Sequence, residues 1–260
     1  MQFKITLQCL DPHPALPLSY QYELSAWIYR VIENADAGFA AFLHQKGYQT
    51  PQRKSFKLFC FSQLDVPRRR VEGGLLYVES PEVSLLIGFY LDRMAEEFVR
   101  GLFQSQRFTL GDRYTRASFS VKTVEMRLPP LPPEGQSARI RTRSPLVVAR
   151  KREGQHDEYL HPDDADFGRL LLLNLTEKYR AATGHALPEA WDVSLFRYRR
   201  VGSEPKSKLI TIKSGKAAET RVRGWLFDFE VLLPRELLEL GLLAGWGRMN
   251  GEGFGFGEVV

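Results

Sequence analysis

The chain has 260 residues, 43% of them hydrophobic and 26% charged, with 36 Lys and Arg against 31 Asp and Glu for a formal charge of +5. That balance excludes a disordered or fibrous chain and leaves one large domain or two smaller ones. No apolar run reaches the ~18 residues of a membrane span, and Met1-Gln-Phe-Lys-Ile-Thr-Leu7 alternates like a strand, unlike a signal peptide, so a cytoplasmic protein with no membrane partner is expected.

In chain order, alternation predicts a strand over 2–10, then a helix over 20–33 and a short helical turn ending near His44. Strands are expected over 56–63 and 74–79. The spacing of Leu86, Phe89, Tyr90, Met94 and Phe98 predicts a helix over 83–104, able to pack in its own domain or against another copy. A strand or hairpin follows over 107–127. Strict alternation in 56–63 would place Phe56, Leu58 and Cys60 on one face and Lys57, Phe59 and Phe61 on the other. Cys9 and Cys60 lie in apolar, strand-like runs and read as small buried hydrophobes, not as a disulfide or metal pair.

Four prolines among the nine residues Leu128 to Gln136 mark a semi-rigid connector over 128–137, dividing the chain into 1–127 and 138–260. Beyond it a strand is expected over 138–150, then a helix over 165–183 from the spacing of Leu170, Leu171, Asn174, Leu175 and Lys178. Strands near 192–201 and 208–213 and over 224–233 precede a helix over 234–244, with Pro234 at its first position and Gly245 as its cap. A strand over 254–260 ends the chain. Each half therefore reads β-α-β-β-α-β, an α+β fold of two tandem ferredoxin-like domains.

Six of the 21 glycines fall within the 13 positions from Gly245 to Gly257. Such density asks for positive φ or for a close approach by another backbone, and Arg248 at its centre suggests an anionic visitor. The loop is not a dinucleotide fingerprint, because Asn250 stands where the third glycine belongs. No Walker loop exists either, since Gly215-Lys216 runs into Ala217 with Ile210 upstream, which weighs against a nucleotide or small-phosphoester enzyme. His156 and His161, near Asp157, Asp163 and Asp164, match no metal spacing and read as a polar loop with Asp163 capping the next helix. His13 and His185 read as loop residues.

The tail spells Gly245-Trp-Gly247, five residues, then Gly253-Phe-Gly255. Tyr159-Leu-His-Pro-Asp163, Phe167, Asn174-Leu175 and Lys178-Tyr179 form a second pattern; Leu24-Ser-Ala-Trp-Ile-Tyr29, Phe42-Leu-His44-Gln-Lys-Gly47 and Lys57-Leu-Phe-Cys-Phe-Ser62 form a third. On these three the chain resembles, over nearly its whole length, the CRISPR-associated endoribonucleases that cut repeat-containing precursor RNA, within the RAMP group of RNA-binding proteins. The resemblance implies metal-independent cleavage in which a 2′-hydroxyl attacks the adjacent phosphorus, leaving a 2′,3′-cyclic phosphate and a 5′-hydroxyl and producing guide RNAs. No metal or cofactor is implied. The implied partner is CRISPR repeat RNA or precursor crRNA, with effector-complex proteins and a homodimer left open.

Such chemistry needs a base, an acid and a cation. The resemblance places His44 as general acid or base, Tyr29 as proton donor or positioning group, and Lys57 as charge stabiliser. By its own residues His44 also reads as a solvent-facing helix-end histidine beside Gln45 and Lys46, Tyr29 as a packing tyrosine, and Lys54 as a rival to Lys57. RNA contacts are expected from Arg68, Arg69, Arg70, Arg150, Lys151 and Arg152, and from a basic hairpin with Lys206, Lys208, Lys213, Lys216, Arg221 and Arg223. Arg139, Arg141 and Arg143 alternate at strand period and would track phosphates along one sheet face. Gly245, Gly247, Gly253 and Gly255 would bring backbone N–H groups to phosphates or bases, beside Arg248. The glycine signature alone equally fits a catalytically silent RAMP subunit that holds crRNA in an effector complex; the N-terminal segment favours the nuclease.

Overall fold

Phe3, Ile5 and Leu7 alternate along the first strand with Lys4, Thr6 and Gln8, and burying the apolar set requires a second layer. The computed structural model describes residues 1–151, 157–188, 193–212 and 219–260. Its first half runs β1 (Gln2–Cys9), β2 (Ala15–Pro17), α1 (Gln21–Ala35), α2 (Ala37–Gln45), β3 (Tyr48–Gln49), β4 (Ser55–Phe56), β5 (Phe59–Phe61), β6 (Arg69–Glu72), β7 (Leu75–Val78), β8 (Glu82–Phe89), α3 (Asp92–Gln104), β9 (Arg107–Gly111) and β10 (Arg116–Arg127). The main sheet has the order β5-β8-β1-β10-β9 with all neighbours antiparallel. Trp27 and Ile28 of α1 and Met94 and Phe98 of α3 close over its apolar face.

Residues 83–104 are not one helix. Val83, Leu85, Ile87 and Phe89 are buried at period two in a strand paired on both sides, and helix begins only at Asp92. The 3.6-residue spacing across that junction was coincidental, and β-ladder pairing with β1 and β5 decided the conformation. Within α3, Met94, Ala95, Phe98 and Leu102 are spent on the core of the chain's own first half.

The expected strand over 56–63 also divides. Leu58 has φ +56, a sparsely populated conformation for a bulky side chain, and it separates β4 from β5. Simple alternation consequently fails: Leu58, Phe59, Cys60 and Phe61 are all buried, while Lys57 is half-exposed.

No helix or strand occupies 128–137. The second half runs β11 (Ala138–Thr142), β12 (Ala149–Arg150), β13 (Glu158–Tyr159), α4 (Phe167–Thr183), β14 (Arg197–Ile212), β15 (Thr220–Leu232), α5 (Arg235–Ala244) and β16 (Gly257–Val259). The strand expected over 138–150 is two strands, leaving Arg143 just past the end of β11. The two strands expected near 192–213 are one long arm, irregular between Val201 and Lys206, against β15. The sheet order is β14-β15-β11-β16, again antiparallel. Phe167, Leu171 and Leu175 of α4 and Leu237 and Leu240 of α5 pack beneath it.

Two helix starts differ by a few residues from expectation. Pro234, with ψ 142, precedes α5 as its N-cap and is not its first helical residue. Asp163 does not cap α4: Asp166 occupies the N-cap position, and Asp163 instead accepts from Arg200 Nε at 2.5 Å. The halves meet where the end of α5 lies against β8 and β5. Gln2 Nε2 donates to the Leu242 carbonyl at 3.0 Å, and the Cys60 thiol lies 3.5 Å from the Leu243 oxygen.

Candidate functional site

The glycine run closes into a cinched loop after α5. Trp246 N–H donates to the Gly255 carbonyl at 2.8 Å, and Asn250 Nδ2 donates across the ring to the carbonyls of Trp246 and Phe254, both at 3.0 Å. Gly247 sits at φ +67, and a Cβ there would stand 2.3 Å from the Val147 carbonyl oxygen. Close backbone approach explains this glycine, but the approaching backbone is the protein's own. Trp246, Phe254 and Phe256 anchor the loop in the interior.

Lys178 of α4, only 2% exposed, inserts under the loop and donates to the carbonyls of Gly245 at 2.5 Å and Gly247 at 2.8 Å. These oxygens lie at and just beyond the end of α5, where a cation is favourably placed. Burial pushes the ammonium down to about 7, with the neighbouring Cys60 opposing and Lys54 adding to the shift. The unfolded chain keeps that proton up to about 10.5, so between the two values unfolding takes up a proton and stability rises with pH. Relative to Lys178→Met, the wild type should therefore gain up to about 1.4 kcal/mol per pH unit as pH rises from 7 to 9. Urea melts at the two pH values read it; parallel shifts in both proteins would mean that Lys178 never releases its proton.

A cleft of about 650 Å³ opens between the loop and the first half, and Tyr29, His44 and Lys57 all line it, facing Gly247 to Glu252. Three elements supply them: α1, the last turn of α2, and the break between β4 and β5. The His44 ring lies edge-on to Tyr29 with centroids 5.6 Å apart, and Tyr29 packs edge-on against Phe59 at 5.7 Å. Lys57 Nζ donates to the Leu43 carbonyl and, at 3.0 Å, to the His44 carbonyl, tying the end of α2 to the cleft wall. Ser25 Oγ donates to the Gly251 carbonyl at 2.6 Å and docks the loop onto α1.

Burial, reinforced by the Glu252 carboxylate, holds the Tyr29 phenol well above its ordinary value, so it carries a proton throughout the neutral range. Burial lowers the Lys57 ammonium while Glu252 pulls it back up. Lys54 also lines the cleft but pairs with Glu177. The chemistry this allows is proton donation from Tyr29, proton exchange at the exposed His44 imidazole, and positive charge at Lys57.

The expected RNA-contacting residues are dispersed. Of the four signature glycines only Gly247 lines the cleft; Gly245, Gly253 and Gly255 are buried within the loop's packing. Arg248 lines it too, paired with Asp157 at 2.6 Å. Arg139 and Arg141 share a sheet face as alternation required, but both bond Asp228, at 3.1 and 2.9 Å, and Arg143 pairs with Glu258. Arg68, Arg69 and Arg70 lie at and before β6 and do not line the cleft; Arg70 stacks 4.1 Å over Tyr77 and pairs with Glu72. Along the hairpin, Lys206 and Lys208 share the face that farther on buries Ile210 and Ile212, whereas Arg221 and Arg223 project from the opposite face. Arg150 is bound to Glu158 and Asp166. Arg152, His156, Lys213 and Lys216 lie outside the described residues.

Sequence reading missed Lys178 and Glu252 as parts of this site. Besides its place in the second of the three patterns, a lysine in the apolar stripe of a predicted helix was the signal for Lys178, because a buried ammonium demands acceptors.

Residues 128–259 match the family model for the C-terminal part of CRISPR associated protein Cas6, and residues 15–125 match that for the Cas6 N-terminal part. A relative named CRISPR-associated endoribonuclease Cas6 1, from Methanocaldococcus jannaschii, is 26% identical over 98% of this chain and 91% of its own length. A solved structure described as "An RAMP protein binding different RNA substrates" superposes with a TM-score of 0.81 at 23% identity, covering 100% of this chain and 99% of that one. The structure of a Cas6-related gene product from Pyrococcus furiosus superposes at 0.80 and 23% identity, covering 100% and 98%. With the two-part Cas6 fold and family models spanning both halves, the chain belongs to the CRISPR-associated Cas6 family.

Proposed function

We propose that the protein is an endoribonuclease of CRISPR RNA processing that cuts repeat-containing precursor RNA in the cleft between its halves. Residues 1–127 would form one ferredoxin-like domain bearing the catalytic groups, and 138–260 a second bearing the glycine-rich loop, joined by the connector 128–137. The antiparallel sheet order within each half supports that division. The observation that carries the reading is convergence: Tyr29, His44 and Lys57, from three separate elements, line one cleft against the family's glycine loop. Relatives that are named endoribonucleases or described as binding RNA add to it.

In the proposed reaction the 2′-oxygen attacks the adjacent phosphorus, the bond from phosphorus to the 5′-oxygen breaks, and the product ends are a 2′,3′-cyclic phosphate and a 5′-hydroxyl. One proton leaves the 2′-hydroxyl and one reaches the departing oxygen. His44, exposed at the cleft, serves one of these transfers, and Tyr29, kept protonated by its burial, suits donation to the leaving oxygen. Lys57 steadies the His44 backbone and supplies positive charge beside the developing phosphorane. Glu177 engages Lys54, which supports Lys57 over its rival.

The test is to incubate the protein with its own array's repeat RNA in excess chelator, beside the same RNA carrying a single 2′-deoxy at the cut. Cleavage of the unmodified RNA alone, leaving a cyclic phosphate, is the expected outcome. Tight binding without cleavage would move the protein to a role in holding crRNA.

A further inference from the structure

Asn174 lies on α4 between the cleft and a smaller annex of about 240 Å³, and it lines both. The residue is 6% exposed, and its Oδ1 is buried with no hydrogen-bond partner among the described residues. A buried amide oxygen left unpaired is costly and uncommon in a stable protein. It calls for a donor from outside the chain.

The annex walls are apolar, with Val147, Val148, Leu170 and the 45%-exposed Leu173 among them. Three of the four cations that line it are already engaged, Lys54 by Glu177, Arg248 by Asp157, and Arg150 by Glu158 and Asp166, which leaves the exposed Lys151 as one lysine for a backbone phosphate at the rim. A phosphate gains little from cations that already face carboxylates. A flat apolar ring with a hydrogen-bonding edge suits this chemistry better, and the volume is that of a single ring system, not a paired stem.

We infer that the annex is a base-specificity pocket in which Asn174 reads an unstacked adenine of the RNA, accepting at Oδ1 from the exocyclic amino group and donating from Nδ2 to the adjacent ring nitrogen. This inference rests on the RNA-cleaving reading above. Splayed single-stranded bases are what sequence-specific RNA recognition reads, and the two-bond pairing of an asparagine amide with adenine is geometrically matched. Lys54, Lys151, Asn174, Gly247 and Arg248 line both spaces, so a strand bound beside His44 can turn one base into the annex without leaving the cleft.

The experiment measures binding of the full-length protein to single-stranded hexaadenylate and to a hexamer of purine riboside, which lacks only the amino group. Wild type, Asn174→Ala and Leu173→Trp are compared, the last filling the annex from a surface position. Wild type should prefer the adenine hexamer by about tenfold, corresponding to one good base contact, and both variants should reduce the preference to within about twofold. Should Asn174→Ala fail to fold, Leu173→Trp decides. Equal binding of the two hexamers by wild type, or a preference that survives in the folded variants, overturns the pocket. Cleavage of unmodified repeat RNA by wild type is scored alongside: cleavage without an adenine preference sinks the pocket alone, and a failure to cleave or bind repeat RNA sinks the function.

Discussion

His44→Ala should lower repeat-RNA cleavage by about 10²–10⁴-fold, the usual contribution of a positioned proton-transfer group, while RNA affinity stays close to that of wild type. The side chain is exposed and its helix is held by other contacts: Leu43 in the core and Lys57 on the carbonyls of residues 43 and 44. Truncation at Cβ therefore removes the imidazole without opening a cavity. Single-turnover rates with saturating enzyme separate the chemical step from binding. A variant that cleaves within threefold of wild type would mean that His44 is only the solvent-facing end of α2. Unchanged binding also matters, because a loss of affinity equal to the loss of rate would mark His44 as a contact residue.

Gly255→Ala should be the most damaging small substitution in the loop. At φ +72 an L side chain is already strained, and the new Cβ would stand 1.9 Å from the Trp246 carbonyl oxygen and 2.7 Å from Asn250 Nδ2. Neither neighbour can yield cheaply, since Trp246 is fully buried and Asn250 Nδ2 is what closes the ring. The backbone penalty of about 1 kcal/mol and overpacking of roughly 1–3 kcal/mol together predict a loss of about 2–4 kcal/mol. At ~2–4 °C per kcal/mol for a chain of this size, the thermal midpoint should fall by roughly 5–15 °C. Gly135→Ala is the control, with a similar φ of +77 but nothing within 4 Å of the added carbon. If the two variants melt together, the loop is not as tightly closed as its geometry requires, and the glycines would have to be explained by RNA instead.

Both outcomes concern residues that sequence reading singled out, but for partly different reasons. The glycine cluster was read as asking for positive φ and close backbone approach, and Gly247 and Gly255 have both. The expected visitor was RNA, whereas the backbone that comes close belongs to residues 147 and 246. His44, Tyr29 and Lys57 were picked by resemblance, and the face assigned to Lys57 rested on an alternation that Leu58 interrupts. Nothing local in Lys57-Leu58-Phe59 signals a left-handed residue. The conformation is accepted because burial of Leu58, Phe59 and Phe61 in two different cores outweighs the strain.

By itself the sequence determined what depends on near neighbours: a helix expected over 165–183 and found over Phe167–Thr183, the alternation of β1 and β11, the helix break before Gly245, and the spacing of the glycine signature. Such features are set by side-chain period and backbone freedom over a few residues. Tertiary structure alone decided that 82–89 is a strand, since ladder partners from β1 and β5 lie far away in the chain. It also decided which cations remain available. Arg141 meets Asp228 and Arg143 meets Glu258 across a sheet that brings together residues about ninety and more apart in sequence, and Lys178 reaches Gly245 and Gly247 from another helix. Charge pairing falls off over a few ångströms, so an arginine's freedom to hold a phosphate is a property of its folded neighbours and not of its own segment.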